Sequence, residues 1–188
     1  HTIAFDASGR VWFTESAGNK IGVLDPVSGA ITEYAVPTPR STPYGLVVAP
    51  NGLVWFAELT GSKIGRVDPA TGEVKEFAPP TVGNGARRID VDRATGMLWF
   101  TEFSGNKIGR FDPTTERFTE FPIPSQNPQP YAIAVDKSGA VWFSEFTANQ
   151  VARLDPTTGA VEQWGHTAER AGCRTILVAA DGVVWCPE

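Results

Sequence analysis

Five glutamates close the same short motif: Trp12-Phe-Thr-Glu15, Trp55-Phe-Ala-Glu58, Trp99-Phe-Thr-Glu102, Trp142-Phe-Ser-Glu145 and Trp185-Cys-Pro-Glu188. Fourteen residues before each Glu, or fifteen before Glu102, stands a companion whose type changes from repeat to repeat: His1, Tyr44, Arg87, Tyr131 and Arg174. Carboxylates hold hard cations through oxygen, and an imidazole can act as acid or base near neutral pH. His1 and Glu15 are the one His–Glu combination in the series. A companion that varies while its neighbours stay constant is what a ligand-facing ring would show. The invariant Glu has a plainer reading: its carboxylate could accept hydrogen bonds from amides of the loop leading to the next repeat.

The tetrapeptides lie 43, 44, 43 and 43 residues apart. Each of the first four is followed by a Lys-Ile-Gly-Arg-like segment (Lys20 to Val23, Lys63 to Arg66, Lys107 to Arg110, Gln150 to Arg153) and then by Asp-Pro, at Asp25, Asp68, Asp112 and Asp155. A Thr-Glu-aromatic segment recurs after these, as at Thr32-Glu33-Tyr34 and Thr119-Glu120-Phe121. Each unit divides into four short runs separated by turn residues. In the fourth these are 132–136, 140–145, 150–154 and 160–164. Asp-Pro-x-x-Gly reads as a type I turn: Asp can bond backbone amides, Pro presets φ, and Gly tolerates positive φ. No segment carries a sustained helical period. Four strands in about 43 residues is the length of a propeller blade.

The expected fold is therefore an all-β propeller of four-stranded antiparallel blades. Residues 1–188 read as one incomplete propeller domain, with four full repeats and the first two strands of a fifth. A larger ring is expected, with the missing blades at both ends; a closed ring of four or five blades is the alternative. The strand run from Thr2 to Phe5 would open the first blade. In each blade the first two strands form a hairpin, and equal distances from its turn place residues face to face. That arithmetic opposes His1 to Glu15, Tyr44 to Glu58, Arg87 to Glu102, Tyr131 to Glu145 and Arg174 to Glu188. All ten would lie near the central channel. Trp12, Trp55, Trp99 and Trp142 should be buried between blades.

The formal charge of −5 argues against a general nucleic-acid binder. No apolar run is long enough for a membrane-spanning helix, so no membrane insertion is expected. His166 lies in the crossing loop Gly165-His-Thr-Ala-Glu-Arg170, where a solvated side chain is the plainer reading and a ligand the sharper one. Cys173 and Cys186 do not oppose one another in the hairpin, where Cys186 would face Ile176. They lack the paired spacing of a zinc site, and a diagonal disulfide is the alternative to free thiols.

The blade pattern Pro-Tyr-Gly/Ala-Ile-x-Val-x-x-x-Gly-x-Val-Trp-Phe-Thr-Glu, with Asn-Lys-Ile-Gly-Arg-x-Asp-Pro-x-Thr-Gly after it, resembles the streptogramin (virginiamycin B) lyase family along the whole chain. The resemblance implies a seven-bladed ring and a lyase that opens cyclic esters of the streptogramin B type by elimination, as in antibiotic resistance. It also implies Mg2+, with a His as acid or base and acidic residues at the metal. Carried onto this sequence, His1 becomes the catalytic residue and Glu15 a metal ligand. Tyr44, Arg87, Tyr131, Arg174, Glu58, Glu102, Glu145 and Glu188 become the substrate surface. The alternative is a non-catalytic propeller that binds a partner protein or a carbohydrate through its channel face. A secreted or periplasmic location is expected ahead of a cytoplasmic one.

Overall fold

The computed structural model describes residues 1–187, so Glu188 lies outside the described residues. Every regular element among them is a strand, and no helix is long and apolar enough to cross a membrane. The chain groups into two compact units, His1–Ile89 and Asp90–Glu188.

The first unit contains two sheets. One is β1 (Ile3–Phe5), β2 (Val11–Glu15), β3 (Lys20–Leu24) and β4 (Ile31–Ala35), in that spatial order. The other is β5 (Pro43–Val48), β6 (Val54–Glu58), β7 (Lys63–Val67) and β8 (Val74–Phe77). A third sheet, β9 (Ala86–Val91), β10 (Leu98–Glu102), β11 (Lys107–Asp112) and β12 (Arg117–Pro122), carries the boundary between the units inside β9. The second unit continues with β13 (Pro130–Val135), β14 (Val141–Glu145), β15 (Gln150–Leu154) and β16 (Val161–Gly165). It then forms the two-stranded pair β17 (Leu177–Val178) and β18 (Val184–Trp185). The strands pair antiparallel, and the strands of the fourth repeat fall within two residues of the expected runs.

The turn chemistry is as expected. Asp25 accepts from the amides of Val27 (2.8 Å) and Ser28 (3.1 Å), and the Gly29 amide closes on the Asp25 carbonyl at 2.8 Å. Gly29 sits at φ 72°, a left-handed conformation that costs glycine nothing. The third repeat places Glu116 there, at φ 55°.

Within each unit, apolar side chains of one sheet pack against the sheet that follows. In the first unit Trp12 packs with Leu46, Val48, Val54 and Phe56 of the next sheet. In the second, Trp99 packs with Ile133, Val141 and Phe143. Trp12, Trp55 and Trp99 are buried, whereas Trp142 is half-buried. Trp142 joins a small cluster with Cys173, Ile176, Val178 and Val184. The indole nitrogens of Trp12 and Trp142 donate to Asp6 and Asp136 at 2.9 Å each, satisfying a buried donor that would otherwise be costly.

One close approach explains the Gly of Lys-Ile-Gly-Arg. Gly22, Gly65 and Gly109 pair across the ladder with Phe13, Phe56 and Phe100. A Cβ on these glycines would fall 2.0–2.4 Å from the ring. The ring lies flat over its partner strand because that strand has no side chain there.

Candidate functional site

The glutamates end the second strand of each sheet and stand opposite the first residue of the third: Glu15 to Lys20, Glu58 to Lys63, Glu102 to Lys107 and Glu145 to Gln150. The lysine pairs in turn with a Glu on the fourth strand. Lys20–Glu33 is 2.6 Å, Lys63–Glu76 2.7 Å and Lys107–Glu120 2.7 Å. Two carboxyls and one ammonium thus share one face of each of these three sheets. In the fourth sheet Gln150 and Gln163 replace the Lys and the second Glu, and Gln163 Nε2 donates to Glu145 Oε1 at 2.6 Å.

Burial and repulsion set the protonation of these groups. Glu58 and Glu102 are fully buried, and no hydrogen-bond donor reaches either of their oxygens within bonding geometry. Burial first, then the neighbouring Glu76 or Glu120 carboxylate, pushes each up to about 8, against the pull of Lys63 or Lys107. Glu15 also moves up, first through desolvation and then through Glu33. A protonated Glu58 can donate to Glu76; the Gln163 amide makes the corresponding bond to Glu145 permanently. The glutamates are therefore carboxyls folded into their own sheets. Glu58, Glu102 and Glu145 offer a ligand no accessible surface, which corrects their expected place on an open substrate surface.

The loop amides expected to bond these carboxylates are served by another residue. Asn19 and Asn149, at φ 56° and 57°, each stand four residues beyond the motif Glu. Asn19 donates to Val36 O and Thr38 O, and its Oδ1 accepts from the Ser41 amide (2.7 Å) and hydroxyl (2.9 Å). Asn149 donates to Ala168 O at 2.9 Å and accepts from the Ala171 amide at 2.8 Å. Asn106 Oδ1 accepts from the Gln129 amide at 3.1 Å. The second sheet has Ser62 at this position, and Asn84 reaches back from the other side to Ser62 O at 3.1 Å. These residues pin each crossing loop just ahead of the companion position. The sequence carried their signal in the Asn that precedes Lys-Ile-Gly-Arg.

Tyr44 and Tyr131, and Cys173 next to Arg174, are fastened a second way. The hydroxyl of Thr14 donates to Tyr44 O (3.1 Å), Thr101 to Tyr131 O (3.2 Å) and Ser144 to Cys173 O (2.9 Å). The simple hairpin arithmetic needs correction here. Pro43, not Tyr44, stands opposite Glu58, and Pro130, not Tyr131, opposite Glu145. A register shift in the first strand, between Pro43 and Leu46 and between Pro130 and Ile133, inserts one extra residue and turns the tyrosine aside. Gly45 occupies this irregularity because a Cβ there would fall 2.7 Å from the Arg87 carbonyl oxygen.

Three companions of the first unit meet. The His1 ring lies against Tyr44, centroids 3.5 Å apart. Arg87 Nη2 donates to the Tyr44 hydroxyl at 3.0 Å, and the Arg87 and Arg88 guanidiniums lie 4.7 and 5.4 Å from the centre of its ring. Arg88 Nη1 also donates to Thr2 Oγ1 at 2.8 Å. His1 is exposed, Arg87 half-buried and Tyr44 buried. Arg88 was not singled out from sequence, since it lies one place beyond the varying position. In the second unit Tyr131 packs against Phe103 and Phe146, and Arg174 lies over Phe146 at 5.6 Å. Arg174 is exposed.

Glu15, the expected magnesium ligand, ends β2 beside Glu33 and Lys20. Its Oε1 lies over Gly22, 2.7 Å from where a Cβ would be, beside the Lys20–Glu33 pair. No group of three or more His, Cys, Asp or Glu donors that includes His1 or Glu15 converges among the described residues. Glu15 and Glu33 are the two carboxylates that stand together here, and Glu33 is already paired with Lys20.

Cys173 and Cys186 are joined, with Cα atoms 5.7 Å apart. Their strands keep the expected register, Leu177 to Trp185, but pairing stops there. The irregular backbone before Leu177 lets Cys173 reach diagonally to its partner. His166 Nε2 stands 4.0 Å from Cys186 Sγ.

Four-stranded antiparallel sheets, with Trp12 and Trp99 packed against the sheet that follows each within its own unit, define a β-propeller with its variable residues beside the crossing loops. The model of the virginiamycin B lyase family matches residues 1–188, and the chain belongs to that family. Selenomethionine-substituted virginiamycin B lyase from Staphylococcus aureus is 34% identical, with a TM-score of 0.92 over 99% of this chain and 62% of that one. A catalytically inactive His-to-Ala variant of the same enzyme, with quinupristin, matches equally well. A streptogramin B lyase structure is 31% identical, with a TM-score of 0.62 over 98% of this chain and 74% of that chain. This chain thus spans 62% of the length of the Staphylococcus enzyme. No curated protein sequence matches it.

Proposed function

We propose that this chain forms part of a carbon–oxygen lyase that opens a cyclic ester of the streptogramin B type by elimination. The observation that carries the reading is His1: an exposed imidazole set against Tyr44, with two guanidiniums over the same tyrosine. Membership of the family, and likeness to a lyase whose His-to-Ala variant is inactive, support it.

In this reading His1 takes the proton from the carbon next to a carbonyl. The released electron pair forms a carbon–carbon double bond, the carbon–oxygen bond of the lactone breaks, and the ester oxygen leaves as carboxylate. No water enters the product. Arg87 and Arg88 stand where a departing carboxylate would be stabilised, since guanidinium pairs with carboxylate through parallel N–H bonds. Tyr44 positions His1 by ring contact and Arg87 through its hydroxyl. No step here passes through a metal.

The test incubates the full-length protein with a streptogramin B-type depsipeptide and follows it by chromatography with mass detection. Elimination gives a new peak of unchanged mass, whereas hydrolysis adds one water. An unaltered substrate peak would favour the non-catalytic alternative, a propeller that binds a partner protein or carbohydrate.

A further inference from the structure

We propose that His166, Cys173 and Cys186 form a redox-gated site for a thiolate-preferring divalent ion of the Zn2+ class. The site is closed while the cysteines are joined and opens when they are reduced. The donor atoms of the three residues all lie within 4.8 Å of one another, the one such group of three among the described residues. Their spacing, seven residues and then thirteen, is unlike the short Cys-x-x-Cys loops by which zinc sites are read from sequence. For that reason a zinc site is unsupported by the sequence alone.

Three features hold the ligands in place without the disulfide. The His166 amide donates to Asn149 O at 3.1 Å, fixing the crossing loop after β16. The Cys173 carbonyl accepts from Ser144 Oγ at 2.9 Å. Cys186 directly follows β18, which is paired with β17. Cys173 is buried, while His166 and Cys186 are half-buried, so an ion could reach the group from one side. Zinc bonds of about 2.3 Å to sulfur and about 2.0 Å to nitrogen put tetrahedral donors roughly 3.5 Å apart, so the two sulfurs must part from bonding distance by about 1.5 Å while the imidazole nitrogen closes by at most about 1 Å. Side-chain rotation supplies that once the S–S bond no longer ties the sulfurs to each other. The fourth position would fall to a water.

The chemistry balances with a dithiol reductant. The dithiol gives up two electrons and two protons and becomes a disulfide; the Cys173–Cys186 bond breaks and each sulfur takes one hydrogen. Binding of Zn2+ then forms two sulfur–metal bonds and one nitrogen–metal bond and releases the two thiol protons. A disulfide sulfur has no thiolate charge to offer, so the oxidised form cannot compete for the ion.

The test uses Co2+ as a spectroscopic stand-in, added to the chain with and without prior reduction by a phosphine. The reduced protein should take up one equivalent, with thiolate-to-cobalt charge-transfer absorption and the visible bands of a tetrahedral centre. Zn2+ should then displace the cobalt and bleach both. The oxidised protein should show neither, and Cys173→Ser should lose the spectrum in both states. His166→Ala should weaken uptake by at least about tenfold, as loss of one of three ligands requires. Absence of the spectrum in the reduced protein overturns the proposal, and so does a spectrum unaltered by His166→Ala.

Discussion

The guanidinium of Arg87 lies over the ring of Tyr44, 4.7 Å from its centre, and its Nη2 donates to the tyrosine hydroxyl at 3.0 Å. Two companions from successive repeats are thereby locked to each other, with His1 resting against the same ring. Tyr44→Phe keeps the ring and removes the acceptor. It should cost about 1 kcal/mol in urea unfolding, the usual net value of one hydrogen bond. Tyr44→Ala, which empties a buried site, should cost about 3–5 kcal/mol. Equal losses in the two variants would show that the hydroxyl, and not the ring, carries the contact.

His1→Ala bears on turnover. In the full-length protein it should abolish opening of the depsipeptide and leave the thermal midpoint nearly unchanged, because the His1 side chain is exposed. Retained turnover removes His1 from the mechanism.

Stability should depend on pH through Glu58 and Glu102, whose carboxyls rise from the usual 4.5 to about 8 on folding. Between those values the unfolded chain has released protons that the folded protein keeps. Their contribution is therefore complete below about pH 4.5, is lost as pH rises towards about 8, and changes little beyond. The aspartates of the turns, among them Asp25 and Asp155, shift down and act oppositely, losing their contribution as pH falls below the ordinary carboxylate range. Denaturant midpoints should accordingly decline from pH 5 to pH 8 (about one carboxyl's titration range per glutamate). The double variant Glu58→Gln, Glu102→Gln should flatten that decline. An unchanged slope in the variant would show that these carboxyls titrate normally.

Trp12→Ala should cost about 3–5 kcal/mol, since the indole is wholly buried against the next sheet. The measurement is the unfolding free energy, and a loss below about 1 kcal/mol would contradict the packing of one blade on the next.

Glu116→Gly should raise stability by about 1 kcal/mol, because Glu116 holds the left-handed conformation that Gly29, Gly72 and Gly159 adopt in the other three turns. A thermal midpoint lower than that of the parent protein would mean that side-chain contacts of Glu116 outweigh its backbone strain.

The repeat, the strand boundaries, the Asp-Pro turns and the burial of Trp12, Trp55 and Trp99 could all be read from the sequence alone, while Trp142 proved half-buried. Each depends on local rules: alternation along a strand, the φ preferences of Pro and Gly, and recurrence of Trp at one place in every unit. The companion residues were legible for a related reason, since His1, Tyr44 and Arg87 vary where their neighbours do not. Tertiary structure decided what those residues do. Whether Tyr44 faces Glu58 depends on one extra residue near Gly45, and that irregularity follows from how closely the Arg87 backbone approaches. Whether Glu58 is a charged ligand or a buried acid depends on Glu76, eighteen residues away, and on the desolvation that no sequence pattern records. The meeting of His166, Cys173 and Cys186 likewise arises where a crossing loop folds back on a short hairpin. Such contacts depend on the paths of whole strands, and a side chain's neighbours across the fold are not written in the residues beside it.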